Sequence, residues 1–180
     1  TAVPGAGTNV PLWILGSSLY GAQLAAMLGL PFAFASHFAP ADMTQAIDIY
    51  HQRFEPSTQL QEPYVMLGYN VCVADTDEEA RYLRSSSLQS FLNLRRGNPG
   101  QLPPPKEGFD KNINKQEHAM LAQLSTCSAV GSFATVKKTM IEFIQQTGAN
   151  ELMLVSSIFE HKKRLYSYEL AAKVGEQINL

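Results

Sequence analysis

The stretch Pro11 to Phe38, PLWILGSSLYGAQLAAMLGLPFAFASHF, most constrains the fold, because it contains a strand, a turn, a helix and a second strand without a break. The apolar run Leu12 to Leu15 passes directly into Gly16-Ser17-Ser18, and the helix that begins there ends at Gly29. A second short apolar run follows at Phe32 to Ser36. This order predicts a β-α-β unit with two parallel strands.

The turn after the first of these strands is a candidate anion site. A helix that begins at Gly16-Ser17-Ser18 aims its unpaired N–H groups and the positive end of its dipole at the space beyond the strand. Phosphate is a natural ligand of such a helix end. Serine is also a common N-cap and glycine a common turn residue where no ligand binds, so the local pattern leaves both interpretations open.

The rest of the chain continues the alternation of strands and helices. Two further strands are predicted at Tyr64 to Ala74 and at Glu151 to Ser156, and Gly68 inside the first of them indicates a bulge or a close approach. Four prolines interrupt the pattern between Asn98 and Asn114. We therefore predict an α/β fold with four parallel strands, in a single domain over 1–180 with an irregular insertion over 97–130.

Composition and charge narrow the functional class. The formal net charge is −2 and no long basic run occurs, so the chain lacks the electrostatic footprint of a nucleic-acid-binding protein. No apolar run is long enough to span a membrane and no signal sequence is recognisable, so we expect a cytoplasmic protein. Cys72 and Cys127 are expected to be free thiols. The Pro/Gly-rich segment Thr1 to Val10 has the composition of a linker, so we expect the chain to be the continuation of a longer one.

Candidate functional residues are those that follow each apolar run, because ligands of parallel α/β folds collect at the carboxyl ends of the strands. No nucleophile and base stand at a catalytic spacing and no metal-ligand cluster is recognisable, so the pattern indicates a binding surface. His37 is the titratable side chain at the end of a short buried strand and is a candidate general acid or base. The alternative is a histidine that is hydrogen-bonded to a neighbouring carbonyl group.

The stretch Pro11 to Phe38 closely resembles the bacterial luciferase-like monooxygenases, a flavin-dependent family, and the resemblance continues to the end of the chain. It is weakest in the proline-rich insertion. The C-terminal residues that carry it are Gly131-Ser132, Thr135-Val136, Thr147 to Met153, His161, Arg164 and Ser167 to Ala171.

The resemblance implies a (β/α)8 TIM barrel that binds reduced FMN non-covalently and activates O2 to oxidise an aldehyde or another small organic substrate. It implies a flavin reductase as the supplier of reduced FMN. The flavin phosphate would be held by the turn after the first strand, at Gly16, Ser17, Ser18, Tyr20 and Gly21. The insertion would correspond to the mobile flap that shields the flavin from water in this family.

The resemblance places the four predicted strands as strands five to eight of the barrel, so the chain is similar to the C-terminal half of such an enzyme. Half a barrel exposes open sheet edges and apolar faces, which predicts association with the N-terminal half or with another copy. We expect the 180-residue chain alone to be inactive. Two alternatives stay open: a non-catalytic flavin-binding module, and an oxidoreductase that uses the deazaflavin F420.

Overall fold

The computed structural model describes residues 3–178, which form five strands and six helices together with two short 3-10 turns. The strands are β1 (Ile14–Gly16), β2 (Phe32–Phe34), β3 (Val65–Val73), β4 (Ser128–Gly131) and β5 (Glu151–Val155). The helices are α1 (Leu19–Leu28), α2 (Met43–Arg53), α3 (Asp77–Arg95), α4 (Lys115–Ser125), α5 (Phe133–Thr147) and α6 (His161–Glu176).

The strands form one parallel sheet with β3 at its centre. Met66 and Leu67 pair with both β2 and β5, so these two strands lie on opposite sides of β3. Asn70 pairs with both β4 and β5, so β4 lies on the same side as β2, beside the carboxyl half of β3. β1 extends the sheet beyond β2. The predicted α/β fold with a parallel sheet is confirmed.

Alternate residues of a strand point to opposite sides of the sheet. The two faces of the sheet have different neighbours. On the outer face, five side chains of β3 are at most 2% exposed and pack with α1, α2, α5 and α6. They are Val65, Leu67, Tyr69, Val71 and Val73. Burial of each valine or leucine side chain in this set contributes roughly 1.5–3 kcal/mol to folding. We call the opposite side, which bears Met66, Gly68 and Cys72, the inner face.

Near the start of β3, two residues tie α1 and α2 to the sheet. Gly29 ends α1 with φ of 59°, and a Cβ at this position would lie 2.6 Å from the Cβ of Ser57, so only glycine fits. The hydroxyl of Tyr50 in α2 donates to the carbonyl of Leu30 at 2.9 Å and accepts from the N–H of Tyr64 at 3.1 Å. These contacts fix the position of α1 relative to the strands.

The predicted number of four strands is wrong by one, because β4 lies at the end of the region expected to be an irregular insertion. With only four residues, Ser-Ala-Val-Gly, β4 has no alternating pattern long enough to be recognised. The stretch 97–130 also contains a 3-10 turn at Phe109–Asn112 and α4. No helix among the described residues has both the length and the hydrophobicity needed to cross a membrane.

Candidate functional site

The turn between β1 and α1 is compact and joins the strand directly to the helix. A Cβ on Gly16 would lie 3.4 Å from the Cα of Gly21, so the two backbones already approach van der Waals contact. The Gly16 carbonyl accepts a hydrogen bond from the N–H of Ala35 at 2.9 Å, which fixes the turn to the end of β2. The first residues of α1 therefore lie at the carboxyl edge of the sheet.

The beginning of α1 has no hydrogen-bonded cap within the described chain. Ser18 occupies the N-cap position with extended backbone angles, but its side chain makes no capping hydrogen bond. The first turn of the helix contains no acidic side chain. The N–H groups of Leu19, Tyr20 and Gly21 belong to the first turn, where a helix offers donors without intrahelical acceptors. Ser17, Ser18 and Tyr20 are exposed beside them.

This set of groups fits the phosphate of a flavin. Backbone N–H groups and serine hydroxyls are hydrogen-bond donors, and the positive end of the helix dipole stabilises an anion. The sequence-predicted residues Gly16, Ser17, Ser18, Tyr20 and Gly21 are therefore together at one turn. Their role as phosphate ligands stays a prediction.

His37 lies at the same edge of the sheet, three residues after the end of β2, where Gly68 makes room for its ring. A Cβ at position 68 would overlap the Nδ1 atom of His37, so the close approach predicted for Gly68 is confirmed. The Asn70 side-chain amide donates to the His37 carbonyl at 2.8 Å, and the Ser36 hydroxyl donates to the Gly68 carbonyl at 2.7 Å. These bonds hold the segment after β2 against β3.

The imidazole of His37 is partly buried, and its Nδ1 has no hydrogen-bond partner among the described residues. Burial lowers the pKa of this imidazole from its ordinary value, because the charged form is less well solvated there. The ring is therefore neutral at neutral pH. The alternative of a ring bonded to a neighbouring carbonyl is not seen at Nδ1. The catalytic role of His37 stays a prediction.

Beside His37, the amino part of the inner face forms an almost wholly apolar cavity of about 350 Å³. Its lining includes Trp13 and Leu15 of the β1 region, Met66 of β3 and Met153 of β5. Leu15 is 73% exposed and Met153 is 52% exposed, although both belong to the sheet. Exposed apolar side chains concentrated on one face of a sheet indicate a binding or packing surface.

The sequence patterns did not identify this cavity as a site. Strand alternation would have placed Trp13, Leu15, Met66 and Met153 on one side of the sheet, but it does not say which side the helices cover. No group of three or more His, Cys, Asp or Glu residues in the described chain could hold a metal ion. Cys72 and Cys127 are free, buried thiols, as predicted.

Comparisons with known proteins identify the family. A family model described as luciferase-like monooxygenase matches residues 1–151. A protein of Escherichia coli (strain K12) named "Luciferase-like monooxygenase" is 46% identical over 176 residues, 98% of this chain and 52% of that protein. An uncharacterized protein of Bacillus subtilis (strain 168), YvbT, is 45% identical over 96% of this chain and 52% of its own length. The chain thus spans about half the length of these relatives.

Solved structures agree with this result. Apo-MsnO8 matches with a TM-score of 0.79 and 28% identity, over 100% of this chain and 55% of that protein. The FMN complex of the oxygenating constituent of 3,6-diketocamphane monooxygenase from Pseudomonas putida has a TM-score of 0.62 at 18% identity, over 98% of this chain and 51% of that one. A coenzyme F420 dependent tetrahydromethanopterin reductase from Methanopyrus kandleri has a TM-score of 0.61 at 13% identity, over 93% and 50%. The last two show the fold alone.

Proposed function

Because the chain belongs to the luciferase-like monooxygenase family, we propose that it is the flavin-phosphate-binding, C-terminal half of an FMN-dependent monooxygenase. The uncapped beginning of α1 carries this proposal. It combines free backbone donors, the two serine hydroxyls of Ser17 and Ser18 and the absence of any acidic side chain in the first turn. The turn lies at the carboxyl end of β1, where ligands of parallel α/β sheets bind.

Bound reduced FMN would supply the chemistry that activates O2 for the oxidation of a small organic substrate such as an aldehyde. The residues of this chain have three parts in the proposal. The turn from Gly16 to Gly21 binds the phosphate, and the apolar cavity beside Trp13 and Met153 forms a wall that excludes water. His37 holds or moves a proton at Nε2, because its Nδ1 is buried against Gly68.

The inner face supports the proposal that a second half closes the barrel. Leu15 and Met153 on this face are each more than half exposed, and the chain covers only 52% of its E. coli relative. Strands one to four of a barrel would cover this face and pair with the free edges of the sheet. The upstream reading frame tests the idea: four further β-α units would support it. A start codon beside Thr1 would contradict it and leave association with a second copy as the way to cover the face.

The second candidate function is F420-dependent hydride transfer, which is favoured by the similarity in fold to an F420-dependent reductase. A phosphate turn binds a group that both cofactors contain, so it does not distinguish between them. Parallel titrations of the complete protein with FMN and F420, followed by fluorescence, separate the two candidates. We expect FMN to bind at least about tenfold more tightly, and the reverse order would favour F420.

Turnover with reduced FMN distinguishes the enzyme from a non-catalytic flavin-binding module. We propose that a separate flavin reductase supplies the reduced cofactor in the cytoplasm. The complete protein, mixed with such a reductase, NADH and a medium-chain aldehyde, should consume the aldehyde together with O2. FMN binding without turnover for any aldehyde or ketone tested would favour the binding module.

A role of His37 in proton transfer predicts a specific effect on the pH profile. In the complete enzyme, His37→Gln should lower kcat by about 10²-fold or more and remove the fall in rate on acidification, which burial of the imidazole shifts below the ordinary pKa of histidine. The matched control is His51→Gln, which changes an exposed histidine of α2. An unchanged pH profile in His37→Gln would exclude the role and leave His37 as a packing residue.

A further inference from the structure

A second and larger cavity, of about 800 Å³, lies between α3 and the segment Lys106 to Asp110. Val130 of β4 lines it, and the same side chain packs against Cys72 on the inner face. The cavity is therefore on the same side of the sheet as the apolar cavity beside His37. Its volume is within the range of small-molecule binding sites in proteins.

Two hydrogen bonds hold the segment that walls this cavity against α3. The N–H of Lys106 donates to the hydroxyl of Ser85 at 2.7 Å. The side-chain amide of Gln89 donates to the carbonyl of Pro104 at 3.0 Å. The segment that walls the cavity is thus hydrogen-bonded to α3, the helix that contains Arg84. The cavity is therefore enclosed by ordered contacts of the fold.

Arg84 is a buried cation without a compensating carboxylate. Arg84 is one of the residues that line the cavity, and it is only 7% exposed. Nη1 donates to the Ser87 hydroxyl at 2.9 Å, whereas Nη2 is buried and has no hydrogen-bond partner among the described residues. None of the ion pairs between described residues includes Arg84. Such a group is costly in the folded state unless an anion reaches it.

The nearby thiol does not supply that anion. Burial raises the pKa of Cys72 to about 12, so the thiol is neutral at neutral pH. Burial also lowers the pKa of the Arg84 guanidinium, but arginine stays protonated in proteins. An external anion is therefore the natural partner of Nη2.

We propose that this cavity binds an apolar organic acid and that Arg84 binds its carboxylate. The apolar body of the acid would contact Tyr82, Leu88, Phe109 and Val130, which all line the cavity. A guanidinium donates charge-assisted hydrogen bonds to a carboxylate, and these are stronger than bonds between neutral groups. The proposal concerns a site separate from the flavin turn.

The charges around the cavity favour a monoanion over a dianion. Three cationic side chains line it, Arg81, Arg84 and Lys106, against four carboxylates, Glu78, Glu79, Glu107 and Asp110. Arg81 pairs with Glu78 at 2.7 Å and Lys163 pairs with Glu79, so Arg84 is the buried cation left for a ligand. A phosphate dianion would meet stronger repulsion from the remaining carboxylates than a carboxylate would.

Calorimetric titration of the complete protein with octanoate, octanol and octyl phosphate tests the proposal. We expect octanoate to bind at least about tenfold more tightly than octanol, the gain of a charge-assisted hydrogen bond. Octyl phosphate should bind no more tightly than octanoate. Equal affinities for octanoate and octanol, or no binding of either, would overturn the proposal.

Substitutions locate the site. Arg84→Met should remove the preference for octanoate, and Arg84→Gln, which keeps a donor without the charge, should show the same loss. Arg95→Met, at an exposed position of the same helix that does not line the cavity, is the matched control and should keep the preference. Arg84→Met is expected to fold at least as stably as wild type, because an unpaired buried charge is replaced by an apolar side chain.

Two results would contradict the assignment to Arg84. Octanoate binding that persists in Arg84→Met would place the acid elsewhere, for example in the apolar cavity beside Trp13. A marked loss of stability in Arg84→Met without any octanoate binding to wild type would mean that a carboxylate of the protein pairs with Arg84. The titration uses no flavin, so its failure would leave the FMN proposal unaffected.

Discussion

The beginnings of α1 and α3 differ in how their free N–H groups are satisfied, although both helices follow strands of the same parallel sheet. At α3, the Thr76 hydroxyl accepts from the N–H of Glu79 at 3.1 Å, and all of the first three helical residues are acidic. At α1, Ser18 makes no such bond and the first turn has no acidic residue. The chain supplies its own anions at the beginning of α3 and places neither a side-chain cap nor an acidic residue at the beginning of α1.

The acidic residues of α3 also act beyond their own helix. The carboxylate of Asp77 accepts from the N–H of Ser132 at 2.6 Å and from the hydroxyl of Thr135 at 3.2 Å. It thereby caps the beginning of α5 and ties α3 to it. The free N–H groups at the beginnings of α3 and α5 thus find acceptors within the chain. The start of α1, at the carboxyl edge of the sheet, receives no side-chain cap from the described residues.

The largest effect on stability within this comparison is expected for Asp77→Asn. The substitution weakens the bonds from Ser132 and Thr135 and removes the favourable charge at the beginning of two helices. We expect the melting temperature to fall by several degrees, measured by circular dichroism. Asp48→Asn, at an exposed position of α2, should change it little. Equal effects of the two substitutions would show that the contacts of Asp77 with Ser132 and Thr135 do not stabilise the fold.

The contacts of Asp77 also predict how the difference in melting temperature between wild type and Asp77→Asn depends on pH. Hydrogen bonds from the Ser132 backbone and the Thr135 hydroxyl lower the pKa of Asp77. A carboxyl group with a lowered folded-state pKa stabilises the protein above its unfolded pKa, about 4, and this contribution is lost as the pH falls through the folded value. The difference in melting temperature between wild type and Asp77→Asn should be full at pH 6 and shrink below about pH 4. A difference that is independent of pH would exclude the charge as its cause.

Smaller effects on stability are expected at the two N-cap residues, and the two effects should differ in size. Thr76→Ala should destabilise the protein by about 1 kcal/mol in urea unfolding, because it removes a capping hydrogen bond. Ser18→Ala should change the free energy of unfolding by less than about 0.5 kcal/mol, because its hydroxyl makes no capping bond. A loss at Ser18 as large as that at Thr76 would mean that Ser18 caps α1 in solution, and the comparison would no longer hold.

Local patterns were sufficient to predict the β1-α1-β2 unit and the residues of its turn. The strand, the glycine at the end of the helix and the second strand are adjacent in sequence, so no distant contact decides them. The prediction was less complete for elements that depend on contacts between distant parts of the chain. β4 was missed because a strand of only four residues is defined by its pairing with β3, which lies far away in the sequence.

The two cavities could not be predicted from the sequence, because each depends on contacts between segments that are distant in sequence. Gly68 indicated a close approach, but its partner His37 comes from the segment after β2. Arg84 looks like an ordinary helical arginine, and the cavity that it lines also needs β4 and the segment around Lys106. Which face of the sheet the helices leave free is a tertiary property, so Trp13 and Met153 could not be recognised as lining residues from alternation alone.

The most direct test of the central claim compares FMN with riboflavin, which lacks the phosphate, in the complete protein and its Ser18→Asp variant. A carboxylate at the beginning of α1 would occupy the free N–H groups and repel a phosphate dianion. We expect fluorescence titration to show at least about tenfold weaker FMN binding in the variant and nearly unchanged riboflavin binding. Equal FMN affinity in wild type and Ser18→Asp would contradict the claim that this turn holds the flavin phosphate.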